Sequence, residues 1–428
     1  MLGLFALAMA CEIIVPTIGN WWYGPNGEEP EIALHLYRGH GFLSPYDPSP
    51  DAQPSSWSPP VYPAILSVFY HLFGAEGKRL RVALVLFHSG LFAAATVGLF
   101  CLGELLWSRA VGVIAALIHI CLPVFLHNGT DFWDVYVAAA MFVWLMVAVA
   151  SLRRRGNSRY WHAAGLGLAF GLLSLTNAAY LLTYPLLVWL AAGGRSWRGR
   201  LAFGGVALAC FMLVLAPWTL RNYHQFGRLY YVRGEGKWEI WFANTIDPPA
   251  TGWMGSQMRK THVAHNKGER AELMEMGEPA FCDLYLEKFQ ANYRDDPQAF
   301  WNRTLLRVVL SFCGEPRFPV AHHHHASEPT FATSGITNDP LDASLTFLAL
   351  IGALVAMILR RRGAWVLGCG ILAIVPYQFL MVNNRYLLGL RITMPAMAGF
   401  LIWEMVGSVV EARRRRRLPT RGASPAAK

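Results

Sequence analysis

The sequence predicts an all-α polytopic membrane protein with about ten transmembrane helices, outer-face interfacial helices and a long outer loop. Of its 428 residues, 54% are hydrophobic and only 15% are charged, whereas soluble domains carry about 25% charged residues. Several apolar runs reach the roughly 20 residues that a helix needs to cross a bilayer. Arginine clusters separate many of these runs, as expected for loops between transmembrane helices.

Hydropathy places the transmembrane segments at 2–19, 82–107, 110–127, 134–152, 160–177, 179–194, 200–217, 342–359, 364–382 and 389–409. The first segment is expected to be retained, because Glu12 is unusual in the core of a signal peptide and no convincing cleavage site follows. Segments 59–73 and 301–314 suit helices lying at the membrane interface. We expect one membrane domain over 1–410 and a basic cytoplasmic tail over 411–428.

The net charge of +10 could indicate a nucleic-acid partner, but its distribution indicates membrane topology instead. The arginines cluster between spans, at Arg153–Arg155, Arg195–Arg200, Arg360–Arg362 and Arg413–Arg417. With a cytoplasmic N-terminus, all four clusters fall inside, as the positive-inside rule requires. Loops 20–81, 128–133, 218–341 and 383–388 then fall outside, and no nucleic-acid partner is expected.

Cysteine and histidine give weaker signals. Five of the seven cysteines fall in spans, where cysteine behaves as a small apolar residue. Cys282 and Cys313 both fall in the outer segment 218–341 and could form a disulfide in an oxidising compartment. The run His322–His325 could bind a metal adventitiously, although a solvated loop explains it equally simply.

The first outer loop carries the densest chemical signal, over residues 28–74. Acidic residues come first, followed by a short amphipathic helix, a Gly-His-Gly-Phe segment, a proline-rich stretch and an aromatic helix. Loops longer than roughly 15 residues without regular structure are usually functional or disordered. This loop contains too many aromatic residues to be disordered, so we expect it to carry function.

Ionisable residues cluster at four places near the predicted outer surface. Two clusters are acidic: Glu28, Glu29 and Glu31, and Asp131 with Asp134. Two clusters are mainly basic: Arg221 with Arg233, Lys237 and Glu239, and Arg385 with Arg391. A carboxylate can act as a general base on an acceptor hydroxyl or amine. Arginine and lysine can hold a phosphate and stabilise charge that develops on a phosphate leaving group. Each cluster alone has an ordinary explanation, such as a helix cap or an interfacial anchor, and the hypothesis depends on their convergence.

A family resemblance rests on motifs distributed over about 28–395. The matching positions are the acidic pair before Ile32 and Ala33, Leu36, Gly39–Phe42, Trp57, Pro59–Pro63, Leu72–Gly74, Trp133 with Asp134, Gly171–Asn177, Pro217–Tyr223, Phe226 with Gly227, and Arg385 with Tyr386. These motifs resemble the bacterial dolichyl-phosphate-mannose-protein mannosyltransferase-like proteins. That group comprises glycosyltransferase family 39-type members of the GT-C superfamily.

The resemblance implies an inverting membrane glycosyltransferase that moves a monosaccharide from a polyprenyl-phosphate sugar to a lipid, glycan or protein acceptor. It implies a multi-pass inner-membrane protein with its active site on the periplasmic side. Glu28 takes the place of the family's catalytic acid, commonly Asp, with Glu29 beside it, and Asp134 matches the second acidic position. Arg385 matches a position near the lipid phosphate. Further substrate-binding candidates are Glu31, His40, Trp57, Tyr62, Asp131, Arg221, Lys237, Glu239 and Arg391.

Two other functions remain open at this point. A secondary transporter or lipid flippase would carry polar groups near the middle of several spans, and the predicted spans contain few, such as Glu12 and His119. A catalytically inactive relative that serves as an assembly subunit is compatible with Glu in place of Asp. No cofactor is certain, although carboxylates near a phosphate could hold Mg²⁺ or Mn²⁺.

Overall fold

The computed structural model describes residues 1–19, 27–122, 124–126, 132–245, 262–313, 340–380, 382 and 385–417. Within them, all regular elements are helices, apart from one isolated β-bridge between Leu43 and Pro54. The first eight α-helices are α1 (Leu2–Ile18), α2 (Glu28–Tyr37), α3 (Val61–Phe73), α4 (Lys78–Leu106), α5 (Arg109–Cys121), α6 (Asp134–Arg155), α7 (Tyr160–Thr176) and α8 (Tyr184–Ala191). The others are α9 (Trp197–Phe226), α10 (Gly236–Thr245), α11 (Lys267–Met276), α12 (Glu278–Asp295), α13 (Pro297–Cys313), α14 (Pro340–Ile358), α15 (Trp365–Phe379), α16 (Leu388–Arg391) and α17 (Met394–Arg417).

The predicted all-α membrane fold is confirmed, and every predicted span overlaps a helix. Four described helices are long and apolar enough to cross a membrane: Lys78–Leu106, Asp134–Arg155, Trp197–Phe226 and Leu388–Glu411. The helices at 2–18, 109–121, 178–191, 343–358 and 365–379 are apolar but shorter. The segments predicted to lie at the interface, 59–73 and 301–314, are also helical, as α3 and α13.

Two predicted boundaries are wrong. The segment 179–194 is not one helix, because a 3₁₀ helix at Ala178–Thr183 precedes α8. Asn177 causes this break: its backbone is extended, and its Oδ1 accepts a hydrogen bond from the Ala179 N–H. The helix predicted to end at residue 217 continues as α9 to Phe226, where Gly227 adopts a left-handed conformation with φ of 64°.

Small residues allow the central helices to pack closely, as in other membrane bundles. α7 packs along α9, and a Cβ atom on Gly167 would stand 2.1 Å from the Ala207 carbonyl oxygen. A Cβ on Gly171 would stand 2.6 Å from the Val214 Cβ. Either substitution would therefore push the two helices apart. α6 lies against α4 and α7, so its first residue is fixed at one end of the bundle.

An outer layer covers that end of the bundle. α2 packs on α3, and α10 packs on α12. The layer has its own aromatic core, in which the buried rings of Trp57, Trp238, Phe242, Phe281 and Tyr285 lie together. The layer therefore holds the first outer loop and the segment after α9 as one packed unit over the start of α6.

The disulfide that the sequence allowed between Cys282 and Cys313 is not present, because Cys282 is a free cysteine. Its thiol is buried in the aromatic core of the outer layer, next to Phe281 in the sequence. Burial raises the pKa of this thiol well above its usual range, and the nearby Glu278 and Glu235 add to the effect. The His322–His325 run and most of the basic tail lie outside the described residues.

Candidate active site

A cleft of about 190 Å³ lies between the outer layer and the bundle. Its polar lining comes from α2, the start of α6, the loop before α10, α10 itself and the segment before α16. Its ionisable side chains are Glu28, Glu29, Asp134, Arg233, Glu235, Glu239, His262, Tyr377, Arg385 and Tyr386. The predicted convergence of distant acidic and basic segments is therefore present in the structure, although with a partly different set of residues.

Two acidic residues enter the cleft from the first turn of α2. Gly27 precedes them with φ of 96°, and a Cβ there would stand 2.7 Å from the Trp133 ring, so this approach requires glycine. The Tyr46 hydroxyl donates a hydrogen bond of 3.0 Å to Glu28 Oε1. Glu29 is only 8% exposed, and its Oε2 accepts no hydrogen bond from any described residue. Glu28 is thus anchored by a phenol, whereas Glu29 presents a buried carboxylate oxygen without a donor.

The environment of Glu29 favours its protonated form. Burial, and then the negative charges of Asp134 and Glu28, raise its pKa from the ordinary 4.5 to about 8. The positive charge of Arg385 acts in the opposite direction. With a pKa of about 8, about a tenth of the Glu29 carboxyl groups are ionised at pH 7, and this ionised form accepts a proton readily, which suits a general base.

Asp134 is held rigidly at the N-terminus of α6. The Asn177 side-chain amide donates a hydrogen bond of 3.0 Å to Asp134 Oδ2. The Tyr377 hydroxyl in turn donates to Asn177 Oδ1 at 3.2 Å. The residue that breaks the helix before α8 therefore also orients a cleft carboxylate, and the helix dipole of α6 stabilises its negative charge.

Arg385 brings positive charge to the same cleft. Its guanidinium carbon lies 3.7 Å from the centre of the Trp133 ring, and its Nη2 donates to the Tyr386 hydroxyl at 3.0 Å. Its Nε is buried and has no acceptor among the described residues. Burial alone would lower the pKa of Arg385. The charges of Tyr386 and Glu29 raise this pKa by more than burial lowers it, so the pKa of Arg385 is above its ordinary value. A cation with an unused donor beside Glu29 is suited to an anionic ligand.

A second arginine, Arg233, differs because acidic partners neutralise it. Arg233 forms ion pairs with Glu235 at 2.5 Å and with Glu239 at 2.7 Å. Glu239 was a predicted substrate contact, and here its carboxylate is used by Arg233. Burial of Glu235 raises its pKa well above the ordinary value, although the charge of Arg233 opposes this. These three residues form a rigid, partly neutralised wall of the cleft.

Three predicted site residues of the first outer loop lie outside the cleft lining. Glu31 is exposed on α2 and is not part of the cleft lining. His40 packs near His35, with 5.8 Å between ring centres. Tyr62 is fully buried, and its hydroxyl donates to the Phe132 carbonyl and contacts His88 Nε2. Trp57, by contrast, does line the cleft as predicted, because it is part of the outer aromatic core.

Three predicted basic contacts are also elsewhere. Arg221 donates to the carbonyl oxygens of Ser55 at 2.6 Å and Phe42 at 2.8 Å, so it joins α9 to the first outer loop. Lys237 points away from the cleft and pairs with Asp283 at 2.6 Å. Arg391 is buried in α16, outside the cleft lining. Asp131 lies outside the described residues.

Several cleft residues were not among the predicted site residues. Arg233 belongs to a basic cluster noted in the sequence but was not chosen as a contact, and Glu235 follows it in a Gly-rich stretch whose backbone path the sequence pattern did not specify. Tyr377 and Asn177 reach the cleft from helix ends that hydropathy assigns to the membrane. His262 also lines it, and burial lowers its pKa to about 4, so it is neutral at pH 7.

Metal binding stays a prediction. Within the part of the chain that the structure describes, no group of three or more His, Cys, Asp or Glu side chains is arranged to hold a metal ion. The carboxylates of the cleft are instead occupied by Tyr46, Asn177 and Arg233, apart from Glu29.

Comparison with known proteins gives a match to one protein family. Residues 57–219 match the family model of dolichyl-phosphate-mannose-protein mannosyltransferase. The predicted resemblance to this family is therefore confirmed over these residues, which make up less than half of the chain. No curated protein sequence matches the chain significantly.

Solved structures show the same fold at low identity. The oligosaccharyltransferase AglB from Archaeoglobus fulgidus, solved with an inhibitory peptide and a dolichol-phosphate, aligns with a TM-score of 0.54 at 15% identity, covering 100% of this chain and 52% of AglB. The apo form from the same organism aligns with a TM-score of 0.56 at 15% identity, covering 97% and 51%. The chain thus spans about half the length of these enzymes. ArnT from Cupriavidus metallidurans, bound to undecaprenyl phosphate, aligns at 14% identity over 97% of this chain and 80% of its own, with a TM-score of only 0.38.

Proposed function

We propose that the protein is an inverting membrane glycosyltransferase that uses a polyprenyl-phosphate sugar as donor. The acceptor is a lipid, glycan or protein, and the reaction takes place at the periplasmic side of the inner membrane. One observation carries the proposal: Glu29 and Arg385 line the same cleft, and each has one buried polar atom, a carboxylate oxygen and a guanidinium N–H, without a partner among the residues that the structure describes. Glycosyl transfer from a phosphate needs a base and a cation side by side.

Glu29 is the general base in this mechanism. It has a free oxygen, since Oε2 accepts no hydrogen bond from the described residues. Its pKa of about 8 makes proton acceptance favourable near neutral pH. Glu28, the position favoured by the sequence, is held by the Tyr46 hydroxyl. We assign Glu28 and Asp134 to positioning of the acceptor and donor, and to keeping the Glu29 pKa high by their charges.

Arg385 would stabilise the leaving group. As the acceptor oxygen bonds to the anomeric carbon, its proton passes to Glu29, and the bond between that carbon and the phosphate oxygen breaks. The electron pair leaves with polyprenyl phosphate, whose growing negative charge is opposite the guanidinium. Arg385 is suited to this role because Trp133 and Tyr386 hold it in one position before the donor arrives.

The position of the cleft favours an enzyme over a transporter. Transporter sites lie near the bilayer midplane, at interrupted helices. The charged lining here is at the N-terminal ends of α2 and α6 and in the segments between helices. A lipid-linked donor could enter such a site with its tail in the bilayer and its sugar among polar groups.

The test is sugar transfer from a panel of radiolabelled polyprenyl-phosphate sugars in membranes that contain the full chain. Glu29→Gln should reduce release of sugar onto product or water by about 10²–10⁴-fold. Glu31→Gln is the matched control, because Glu31 is on the same helix but exposed, and it should retain activity. Equal activity of Glu29→Gln and wild type would overturn the assignment of the base. Absence of transfer with every donor, despite normal insertion, would overturn the enzymatic function.

A further inference from the structure

A second cavity, of about 260 Å³, lies at the far end of the bundle from the cleft. It is formed where α4 and α6 end and α15 begins. We call it the basic cavity and define it by Trp107, Arg153, Arg154, Arg362 and Trp365. Nothing in the proposed transfer reaction uses these residues.

Helix geometry places the basic cavity at the opposite membrane surface. α6 begins at Asp134 in the cleft and carries Arg153 in its last turn. An α-helix rises 1.5 Å per residue, so these two residues are separated by roughly 29 Å along the helix axis. The hydrocarbon core of a bilayer is about 30 Å thick. The basic cavity is therefore at the level of the lipid headgroups on the side facing away from the cleft.

The charge of the basic cavity is not balanced by the protein. Among the described residues, none of its three arginines has an acidic group within ion-pair distance, although Glu104 also contributes to the lining. Arg361, a neighbour in the sequence, differs because it lies 3.8 Å from Glu404. The positive-inside rule explains arginines at this surface, but it does not explain a cavity among them.

The two indoles supply an independent observation. Trp107 Nε1 and Trp365 Nε1 are both buried, and neither donates to any described residue. Trp107 is held in place: it stacks on Phe400 with 5.0 Å between ring centres, and a Cβ on Gly363 would stand 2.2 Å from its ring. A buried donor without an acceptor costs about 1–3 kcal/mol. Two such donors in the lining of one basic cavity indicate a ligand with anionic acceptor oxygens.

We propose that the basic cavity binds the phosphate of an anionic phospholipid headgroup. Arginine binds phosphate through charge-assisted hydrogen bonds, and the indole N–H groups would supply further donors. Leu105, Leu106 and Ala150 complete the lining with apolar surface, which suits the start of an acyl chain. Soluble phosphate shares the anionic chemistry, but neither the headgroup-level location nor the apolar lining would serve it.

The experiment measures binding of phosphatidylglycerol to the purified full chain in a neutral detergent, by native mass spectrometry and by titration with a fluorescent analogue. Arg153→Gln and Arg362→Gln should each weaken binding by roughly fivefold, the effect of one surface arginine near an anionic lipid. Trp365→Phe removes the N–H and keeps an aromatic ring, and it should also weaken binding. Arg155→Gln is the control, because Arg155 belongs to the same cluster and does not line the basic cavity.

Two results would overturn the proposal. If Arg155→Gln weakens binding as much as Arg153→Gln, the lipid responds to the general field of the basic surface and not to the cavity. If inorganic phosphate at millimolar concentration displaces the lipid fully and binds alone with the same variant dependence, the ligand is soluble phosphate. Thermal melting of each variant identifies loss of fold, and Trp365→Phe tests the site in a chain whose charge is unchanged.

Discussion

The cleft and the outer layer that covers it contain the same kinds of residues but use them differently. In the cleft, Glu29 and Arg385 each keep one buried polar atom that has no hydrogen-bond partner in the described part of the chain. In the outer layer, Arg221 and Lys237 are fully engaged, one by backbone carbonyls and the other by Asp283. An arginine in this region is thus a candidate ligand contact only if some of its guanidinium N–H groups have no acceptor in the protein.

This difference has an energetic basis. A buried donor or acceptor without a partner costs about 1–3 kcal/mol, so a fold retains few of them. The buried atoms without a partner among the described residues are an acceptor on Glu29 and a donor on Arg385, and both line one cleft. A ligand with both a hydroxyl proton and a phosphate would form hydrogen bonds with both atoms. Substitutions in the cleft should therefore affect turnover, and substitutions in the outer layer should affect stability.

After Glu29→Gln, the largest expected effect is that of Arg385→Gln. Loss of one preorganised group that stabilises transition-state charge typically costs about 10²–10³ in kcat. We expect a decrease of that size in transfer, with a melting temperature near that of wild type, because among the described residues Arg385 donates to Tyr386 and stacks on the rings of Trp133 and Tyr386. Initial rates at saturating donor, together with a melting curve, check this. Normal turnover would contradict the assignment of Arg385 to the leaving phosphate.

Arg221→Gln should show the reverse pattern. It breaks two hydrogen bonds between the guanidinium and the carbonyls of Ser55 and Phe42, each worth about 1.5–3 kcal/mol for a charged donor. We expect unfolding to become easier by roughly 3 kcal/mol, and kcat of the folded fraction to remain within a few-fold of wild type. Denaturation in detergent and active-site-normalised rates separate the two quantities. A large loss of kcat with unchanged stability would return Arg221 to the substrate contacts.

A third prediction concerns pH. If Glu29 must be ionised to accept a proton, its pKa of about 8 makes kcat/KM about tenfold lower at pH 6 than at pH 7, levelling off above pH 8. A pH series of transfer rates checks this.

Stability should change in the opposite direction. The unfolded chain releases the Glu29 proton near pH 4.5, whereas the folded chain keeps it until about pH 8. Stability is therefore lost as pH rises through this interval. Glu29→Gln should melt at increasingly higher temperature than wild type between pH 5 and 8. A constant difference over that range would contradict the raised pKa.

Much of the fold could be predicted from the sequence. Apolar runs and arginine clusters follow from the cost of placing polar groups in lipid, and each predicted span overlaps a helix. Hydropathy placed a boundary between the spans 160–177 and 179–194, but it did not predict the 3₁₀ helix at Ala178–Thr183 that follows Asn177. This short helix depends on one side-chain hydrogen bond to the Ala179 N–H.

The cleft was only partly predictable for a related reason. Glu28, Glu29, Asp134 and Arg385 have local sequence signals, namely acidic clusters and helix ends, and they do line the cleft. Arg221 and Lys237 have equally good signals and do not. Arg385, Arg221 and Lys237 carry the same charge and are predicted on the same side of the membrane. The partner that each residue meets depends on how α9 and α12 pack, which no local pattern in the sequence specifies.

The smallest expected effect tests this argument at the outer layer. Asp283 pairs with both Lys237 and Arg228, and about a third of its side chain is exposed. Exposed ion pairs contribute about 0–1 kcal/mol each. Asp283→Asn should therefore shift the melting temperature only slightly and leave transfer unchanged, and Lys237→Gln should behave alike. The double variant Asp283→Asn with Lys237→Gln should melt at no lower a temperature than the less stable single variant, because each substitution alone already removes the ion pair between Asp283 and Lys237. If Lys237→Gln instead raises KM for the donor while Asp283→Asn does not, Lys237 contacts the substrate. Lys237 would then belong to the cleft, and the contrast between the cleft and the ion-paired outer layer would not hold for this residue.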